Sequence, residues 1–429
     1  RKCTLCLEKG HDAEDCPRTK NPSKNSGGAG SGRSHKNSRR AGKGDDDTSN
    51  TNGDAAESDE RLLPSGFFSS VDDLLADMSI VAKEEGKEQP PPVLFDAGCD
   101  VGEALDYIAT TQSNKKKSST VTYRNAPHVA VNAYGGCLCR QLLKPGKAWK
   151  PDAQRISWIK EADPDTLFVL GLGPAFLNKQ LAQARDIDDS DDSQDEDEST
   201  SNDDEEEQDA AVEALVSSMD RDDGVVGFFA KLDYSPDILQ RPGYDREAQL
   251  RRFRATCSAA MEGDVPIQCR IAPGPTEGDD NDEAENDQVD PYVSVVRDLA
   301  TVLVEMSPED SDEILKIHLV CWNGNSTHML KLLGAFPEHL YVGMNAAVGF
   351  AKAARAHECA FDVPLNRLLL ETDAPYNIPA PVTIAMGRAA FSHSGLIPFV
   401  AAAVAEHKGQ AATAVDVARA AAENVVQLY

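Results

Sequence analysis

Two stretches of the chain carry residue types and spacings that can do chemistry. Near the start, Cys3, Cys6, His11 and Cys16 follow a C-x2-C-x4-H-x4-C spacing, with Gly10 before the histidine and Pro17 after the last cysteine. Zinc takes soft donors in a tetrahedron, and a segment this short orders only by wrapping a metal. Gly10 permits the tight turn that brings His11 round. Far along the chain, the apolar run Leu368-Leu369-Leu370 breaks into Glu371-Thr372-Asp373-Ala374-Pro375-Tyr376. A buried parallel strand that ends in a carboxylate delivers that side chain to the rim of an α/β barrel, where such folds place their chemistry.

The elements that must position these groups follow from composition and periodicity. The 429 residues exceed what one core needs, so one large domain with attachments is expected. No apolar run approaches the roughly 20 residues of a membrane span. Ten cysteines without secreted-scaffold spacing read as reduced thiols of an intracellular protein, with nucleus, cytoplasm and mitochondrion not distinguished. The chain opens at Arg1 rather than Met, so further sequence, including further zinc modules, is expected before it. The net charge of −29 is concentrated: fifteen Asp and Glu lie between Asp186 and Asp209, and eight more between Glu277 and Asp290. These runs read as solvated, disordered insertions at about 186–222 and 274–290, and they leave a nearly balanced core.

Four parts result. Residues 1–18 hold the zinc spacing, and 19–64 form a Ser/Gly/Asn-rich disordered linker, basic in its first half. Residues 65–92 combine an amphipathic helix around Ser69–Met78 with a Pro90-Pro91-Pro92 stop. Residues 93–429 alternate short apolar runs with helical stretches, the pattern of a parallel sheet. Eight runs predict strands: Val93–Asp96, His128–Ala133, Leu167–Gly171, Val225–Asp233, Val265–Arg270, Lys316–Trp322, Leu340–Met344 and Arg367–Asp373. Eight is the number that closes a TIM (β/α)8 barrel. Phe399–His407 and Ala412–Leu428 have helical periodicity and would cover its outside. Cys137 and Cys139, after Gly135-Gly136, read as a pair of free thiols in a loop.

The first stretch resembles a CCHC zinc knuckle, a module that binds single-stranded RNA or DNA. The resemblance implies zinc on Cys3, Cys6, His11 and Cys16 and an apolar platform including Leu5, with Lys2, Lys9, Arg18 and Lys20 against phosphates. Thr4-Leu5 stands where the module often has an aromatic. From about Val93 to Tyr429 the chain resembles the TatD family of metal-dependent deoxyribonucleases. The carrying motifs are Leu365 to Tyr376, Tyr341-Val342-Gly343-Met344 with Gly349-Phe350, and Val417-Ala418-Arg419 with Glu423-Asn424. The resemblance implies a TatD-like TIM barrel with Asp373 as a metal ligand. The other ligand positions depart from the family's pattern. Its D-x-H-x-H is Asp96-Ala97-Gly98-Cys99-Asp100, and its G-x-H-P is Gly171-Leu172-Gly173-Pro174. Phe229 stands in place of its metal-binding glutamate, and Gln268 and Val320 in place of histidines.

Gly, Phe and Val side chains donate no lone pair, so the losses argue against a divalent metal in the barrel. Asp96, Asp100 and Asp373 remain as vestigial candidates, and Lys231 or Arg270 is expected to neutralise Asp373 and Asp96. His318 reads as a core histidine rather than a displaced ligand. The function expected is that of a nucleic-acid-associated zinc-knuckle protein whose barrel is a pseudoenzyme scaffold. The alternatives are a divergent TatD-like metal-dependent deoxyribonuclease using Asp96, Asp100, Asp373 and His318, and a protein-interaction subunit that docks through the knuckle and the helix.

Overall fold

A computed structural model of the chain describes residues 94–113, 134–143, 151–172, 209–219, 224–274, 290–307, 314–386 and 392–429. The zinc spacing, the linker and the amphipathic helix lie outside the described residues. Eight strands alternate with helices: β1 Leu94–Cys99, β2 Tyr134–Leu142, β3 Thr166–Gly171, β4 Val225–Asp233, β5 Ile267–Ala272, β6 Ile317–Leu319, β7 Leu340–Met344 and β8 Leu368–Leu370. They pair in parallel in the order β1 to β8. At the end of the sheet Asp373 N–H donates to Gly98 O and Asp100 N–H to Ala374 O, both at 2.9 Å, tying β8 back to β1. The architecture is the expected TatD-like TIM barrel.

Side-chain alternation divides each strand between an outer face, packed on helices, and the barrel interior. Cys137, Cys139, Phe168, Leu170 and Phe228 belong to the outer core with the helices. Ala97, Leu138, Tyr341 and Leu369 belong to a separate inner cluster with Val425 and Leu428 of the helix Ala414–Leu428. A capping box between Thr413 and Asp416 starts that helix. Tyr429 follows it and closes the inside of the barrel. Its hydroxyl lies 2.9 Å from His318 Nδ1 and accepts from Gln268 Nε2 at 3.1 Å.

Three expectations are corrected. The second strand is Tyr134–Leu142, not His128–Ala133, and Cys137 and Cys139 are buried strand residues rather than loop thiols. Gly136, before those thiols, serves a close approach: with φ +130°, a Cβ there would sit 2.5 Å from Asp165 O. The run at 186–222 is not wholly solvated, because 209–216 is an α-helix with Leu215 fully buried. Acids precede and open that helix while Ala211 and Leu215, one turn apart, supply its apolar face. Asp290, at the edge of the second acidic run, is anchored by Arg355 Nη1 at 2.8 Å and by Tyr292 N–H at 3.1 Å.

Candidate functional site at the barrel mouth

The site is built where the strands end. β8 gives way to Glu371-Thr372-Asp373, with Asp373 at φ +51°, a left-handed conformation that short polar residues tolerate. Its carboxylate is buried and fully engaged. Arg140 Nη2, from β2, donates to Oδ1 at 2.9 Å. Arg270, from β5, donates from Nη1 to Oδ1 at 2.8 Å and from Nη2 to Oδ2 at 2.9 Å. Asn377 Nδ2 adds a bond to Oδ2 at 2.7 Å. Each oxygen therefore accepts two hydrogen bonds, which uses the lone pairs a carboxylate offers. Burial alone pushes the Asp373 carboxyl up, and the two guanidiniums more than reverse this, leaving its pKa below the ordinary value. Burial works against the charge on Arg140 and Arg270, but Asp373 and neighbouring acidic groups hold both cations above their usual range.

Arg270 thus meets Asp373 as expected. Lys231 does not: its Nζ pairs with Asp233 Oδ2 at 2.7 Å and stays 43% exposed. Arg140 was not expected at all. The available signal was a lone arginine inside the apolar run Cys137-Leu138-Cys139-Arg140, hidden by the misplacement of β2.

Among the described residues no cation pairs with Asp96. Four donors hold it instead: Thr372 Oγ1 at 2.5 Å, Ser394 Oγ at 2.6 Å, Thr372 N–H at 2.9 Å and Gly98 N–H at 3.2 Å. Burial pushes its pKa up from 3.8 to about 6 despite these bonds. The folded state therefore binds this proton more tightly than the unfolded chain does. Stability from this group is largest below the unfolded value and falls as pH rises from about 4 to about 6, by about 3 kcal/mol in all. Asp373 acts in the opposite sense and lower, losing its contribution as pH falls below the ordinary carboxylate range. Asp96→Asn is expected to remove the decline between pH 4 and 6 relative to wild type, measured as urea midpoints across pH.

Asp100 takes a third role. Its Oδ1 accepts from Glu103 N–H at 2.9 Å, capping the helix Val101–Ser113. The three vestigial acids are thus brought to adjoining strand ends, but each has its own partners.

The positions of the missing ligands are filled. A Cβ at Gly98 would lie 2.9 Å from Glu371 Cδ, and one at Gly343 would lie 1.9 Å from Glu371 Oε1. Glu371 is held there by Cys321 N–H at 2.7 Å and Cys321 Sγ at 2.8 Å. His318 Nε2 lies 2.6 Å from Glu371 Oε1, off the axis of a hydrogen bond, and both side chains are fully buried. Phe229 lies beneath the Arg140 guanidinium, 5.7 Å from ring centroid to Cζ. Gln268 reaches inward and across, donating to Ala97 O at 3.2 Å.

These residues do not fit a hydrolytic metal. Among the described residues no three His, Cys, Asp or Glu side chains come together to hold one. The remaining family ligand, Asp373, has both oxygens saturated by donors that a cation would have to expel. Guanidinium groups have no lone pair to offer a metal.

No helix among the described residues is long and apolar enough to cross a membrane. Comparison with known proteins places the barrel. A human protein, the 3'-5' RNA nuclease TATDN2, is 32% identical over 113 residues, which is 26% of this chain and 14% of that protein's length. An uncharacterised amidohydrolase from Saccharomyces cerevisiae shares the fold with a TM-score of 0.50 at 14% identity, over 79% of this chain and all of its own. A TatD homologue from Escherichia coli K12 aligns over 78% of this chain and 97% of its own, at 15% identity and a TM-score of 0.48. The family described as TatD related DNase matches residues 96–429. With that pattern running from Asp96 at the first strand through the last helix, the chain belongs to the TatD related DNase family.

Proposed function

We propose that this protein is a nucleic-acid-associated factor, acting on single-stranded RNA or DNA through its zinc knuckle, with a barrel that serves as a non-catalytic scaffold. Cys3, Cys6, His11 and Cys16 would hold Zn2+, and Lys2, Leu5, Lys9, Arg18 and Lys20 would meet the strand. The observation that carries the scaffold reading is the saturation of Asp373 by Arg140, Arg270 and Asn377. A carboxylate so occupied contributes charge balance, not metal binding. The human relative's name, 3'-5' RNA nuclease, favours RNA as the nucleic acid. It also favours a second reading, a divergent nuclease.

The test is a binding and cleavage assay on the whole chain with labelled single-stranded RNA. The expected result is binding that weakens steeply with salt, is lost in Cys6→Ser, and is accompanied by no cleavage with magnesium, manganese or zinc. Cleavage that EDTA stops and Asp373→Asn abolishes would overturn the scaffold reading in favour of the nuclease. Stable protein partners without RNA binding would favour an interaction subunit instead.

A further inference from the structure

We propose that the protein binds a small amphipathic monocarboxylate, a medium-chain alkanoate, in a cavity beside the fourth strand. The cavity measures about 310 Å³ and lies where β4 runs out against the helices Pro236–Leu239 and Arg246–Glu262. Neither Arg140, Arg270 nor Asp373 lines it, so it is not the charged mouth, and it is independent of the nucleic-acid reading. Its walls follow from the local sequence. Gln249, Arg252, Phe253 and Thr256 stand at i, i+3, i+4 and i+7, so the longer helix turns one face to it. Between the two helices, Arg241-Pro242-Gly243-Tyr244 closes a turn through Tyr244 N–H to Arg241 O at 3.0 Å. Proline at its second position and glycine at its third, with φ +71°, are the residues a type II turn favours. That turn brings Arg241 and Tyr244 together on the rim of the cavity.

The chemistry of the lining selects the ligand. Leu142, Leu172, Phe229, Ile238 and Phe253 make the body of the cavity apolar, and Leu142, which ends β2, is half exposed. Most polar groups between them are engaged within the protein. Gln249 Nε2 donates to Asp233 O at 2.9 Å and to Tyr244 O at 2.7 Å, while its Oε1 accepts from Asp233 N–H at 2.6 Å. Arg252 donates from Nε to Ala248 O at 3.2 Å and from Nη2 to Gly243 O at 2.8 Å, with its guanidinium over the Tyr244 ring. Lys231 pairs with Asp233 Oδ2, and Asp233 Oδ1 accepts from Ser235 Oγ at 2.5 Å and Ser235 N–H at 3.1 Å. Arg241 differs. Its Nε donates to Asp237 O at 3.2 Å, it pairs with no carboxylate among the described residues, and it stands exposed at the rim. The result is a preformed apolar pocket with an uncommitted cation at its entrance. One negative charge on an apolar body matches it. A second charge would find only the Lys231–Asp233 pair, already balanced, and a neutral head would forgo the charge-assisted bonds that Arg241 offers.

The experiment is calorimetric titration of the whole chain with octanoate, decanoate and decanol at constant ionic strength. One saturable site per chain is expected for decanoate. Each methylene that leaves water raises affinity about fourfold, so decanoate binds about tenfold more tightly than octanoate. Decanol binds about tenfold more weakly than decanoate, the effect of losing a charge-assisted hydrogen bond. Arg241→Gln, a change at an exposed side chain, brings decanoate down to the affinity of decanol and leaves decanol unchanged. Ile238→Asp puts a further carboxylate into the apolar wall and weakens both ligands. Absence of saturable decanoate binding overturns the site, as do equal affinities for decanoate and decanol, or Arg241→Gln binding decanoate like the wild type. Binding of an acidic, leucine-containing peptide without binding of decanoate also overturns it and assigns the cavity to a protein partner. RNA binding through the knuckle is scored separately by Cys6→Ser, so failure of this site and failure of the knuckle reading give different results.

Discussion

Asp373→Ala should destabilise the protein by about 3–5 kcal/mol, the range seen when one partner of a buried ion pair is removed. The carboxylate is 1% exposed and receives four hydrogen bonds, three of them from guanidinium groups. Without it, Arg140 stays buried without its paired carboxylate, with Glu371 as a further acidic neighbour, and Arg270 beside it adds repulsion. Rearrangement can relieve Arg270, which already reaches solvent, but not Arg140, which lies over Phe229 inside the rim. Urea denaturation is the measurement, with a lowered midpoint at unchanged slope as the expected signature. A loss under about 1 kcal/mol would instead match a surface pair and would show that the arginines find other partners. Replacing Arg140, Arg270 and Asp373 together by apolar residues of similar volume should be far less damaging than the single change, because the desolvation penalty disappears along with the attraction.

Restoring a histidine at position 98 should also damage the protein rather than revive a metal site. A Cβ there would stand 2.9 Å from Glu371 Cδ and 3.1 Å from both Cγ and Oε1. Glu371 cannot give way cheaply, since Cys321 donates to it from both N–H and Sγ and Gly343 leaves no room on the other side. Gly98→His therefore combines overpacking with the displacement of a buried, hydrogen-bonded carboxylate, for an expected loss of about 3 kcal/mol or more. Thermal unfolding with and without zinc is the check. A melting temperature that falls and responds to zinc no more than the wild type's is expected. A zinc-dependent rise larger than the wild type's would mean that Glu371 and its neighbours can re-form a metal cradle.

The strands and helices were largely legible because their signals are local. Apolar runs of strand length between helical stretches, read from Leu167 onward, fall on β3 to β8. The closing helix beginning at Thr413 carries its capping box in adjacent letters. The second strand was missed for a local reason too: the residues after Gly135-Gly136 read as a loop, while the barrel uses Gly136 for a close approach to Asp165 within a strand. The helix at 209–216 was obscured by the acids before it, although Ala211 and Leu215 already marked its buried face.

The sequence by itself determined the inventory of the mouth. It has carboxylates at Asp96, Asp100, Glu371 and Asp373, and glycine, phenylalanine, glutamine and valine where the family resemblance calls for ligands. An inventory has no geometry, and only the closed barrel decided which charges meet. Arg140 and Asp373 are separated by 233 positions, and Gln268 reaches the backbone of Ala97 across 171. Parallel register carried Arg140 and Arg270 to the same carboxylate, and paired Lys231 with Asp233 two residues away instead. Nor does a glycine in the sequence disclose what occupies the room it leaves, and here that is the carboxylate of Glu371, at both Gly98 and Gly343. The physical reason is range: propensity and capping act over a few residues, while desolvated charges are settled by whichever partner the closed fold brings within hydrogen-bonding distance.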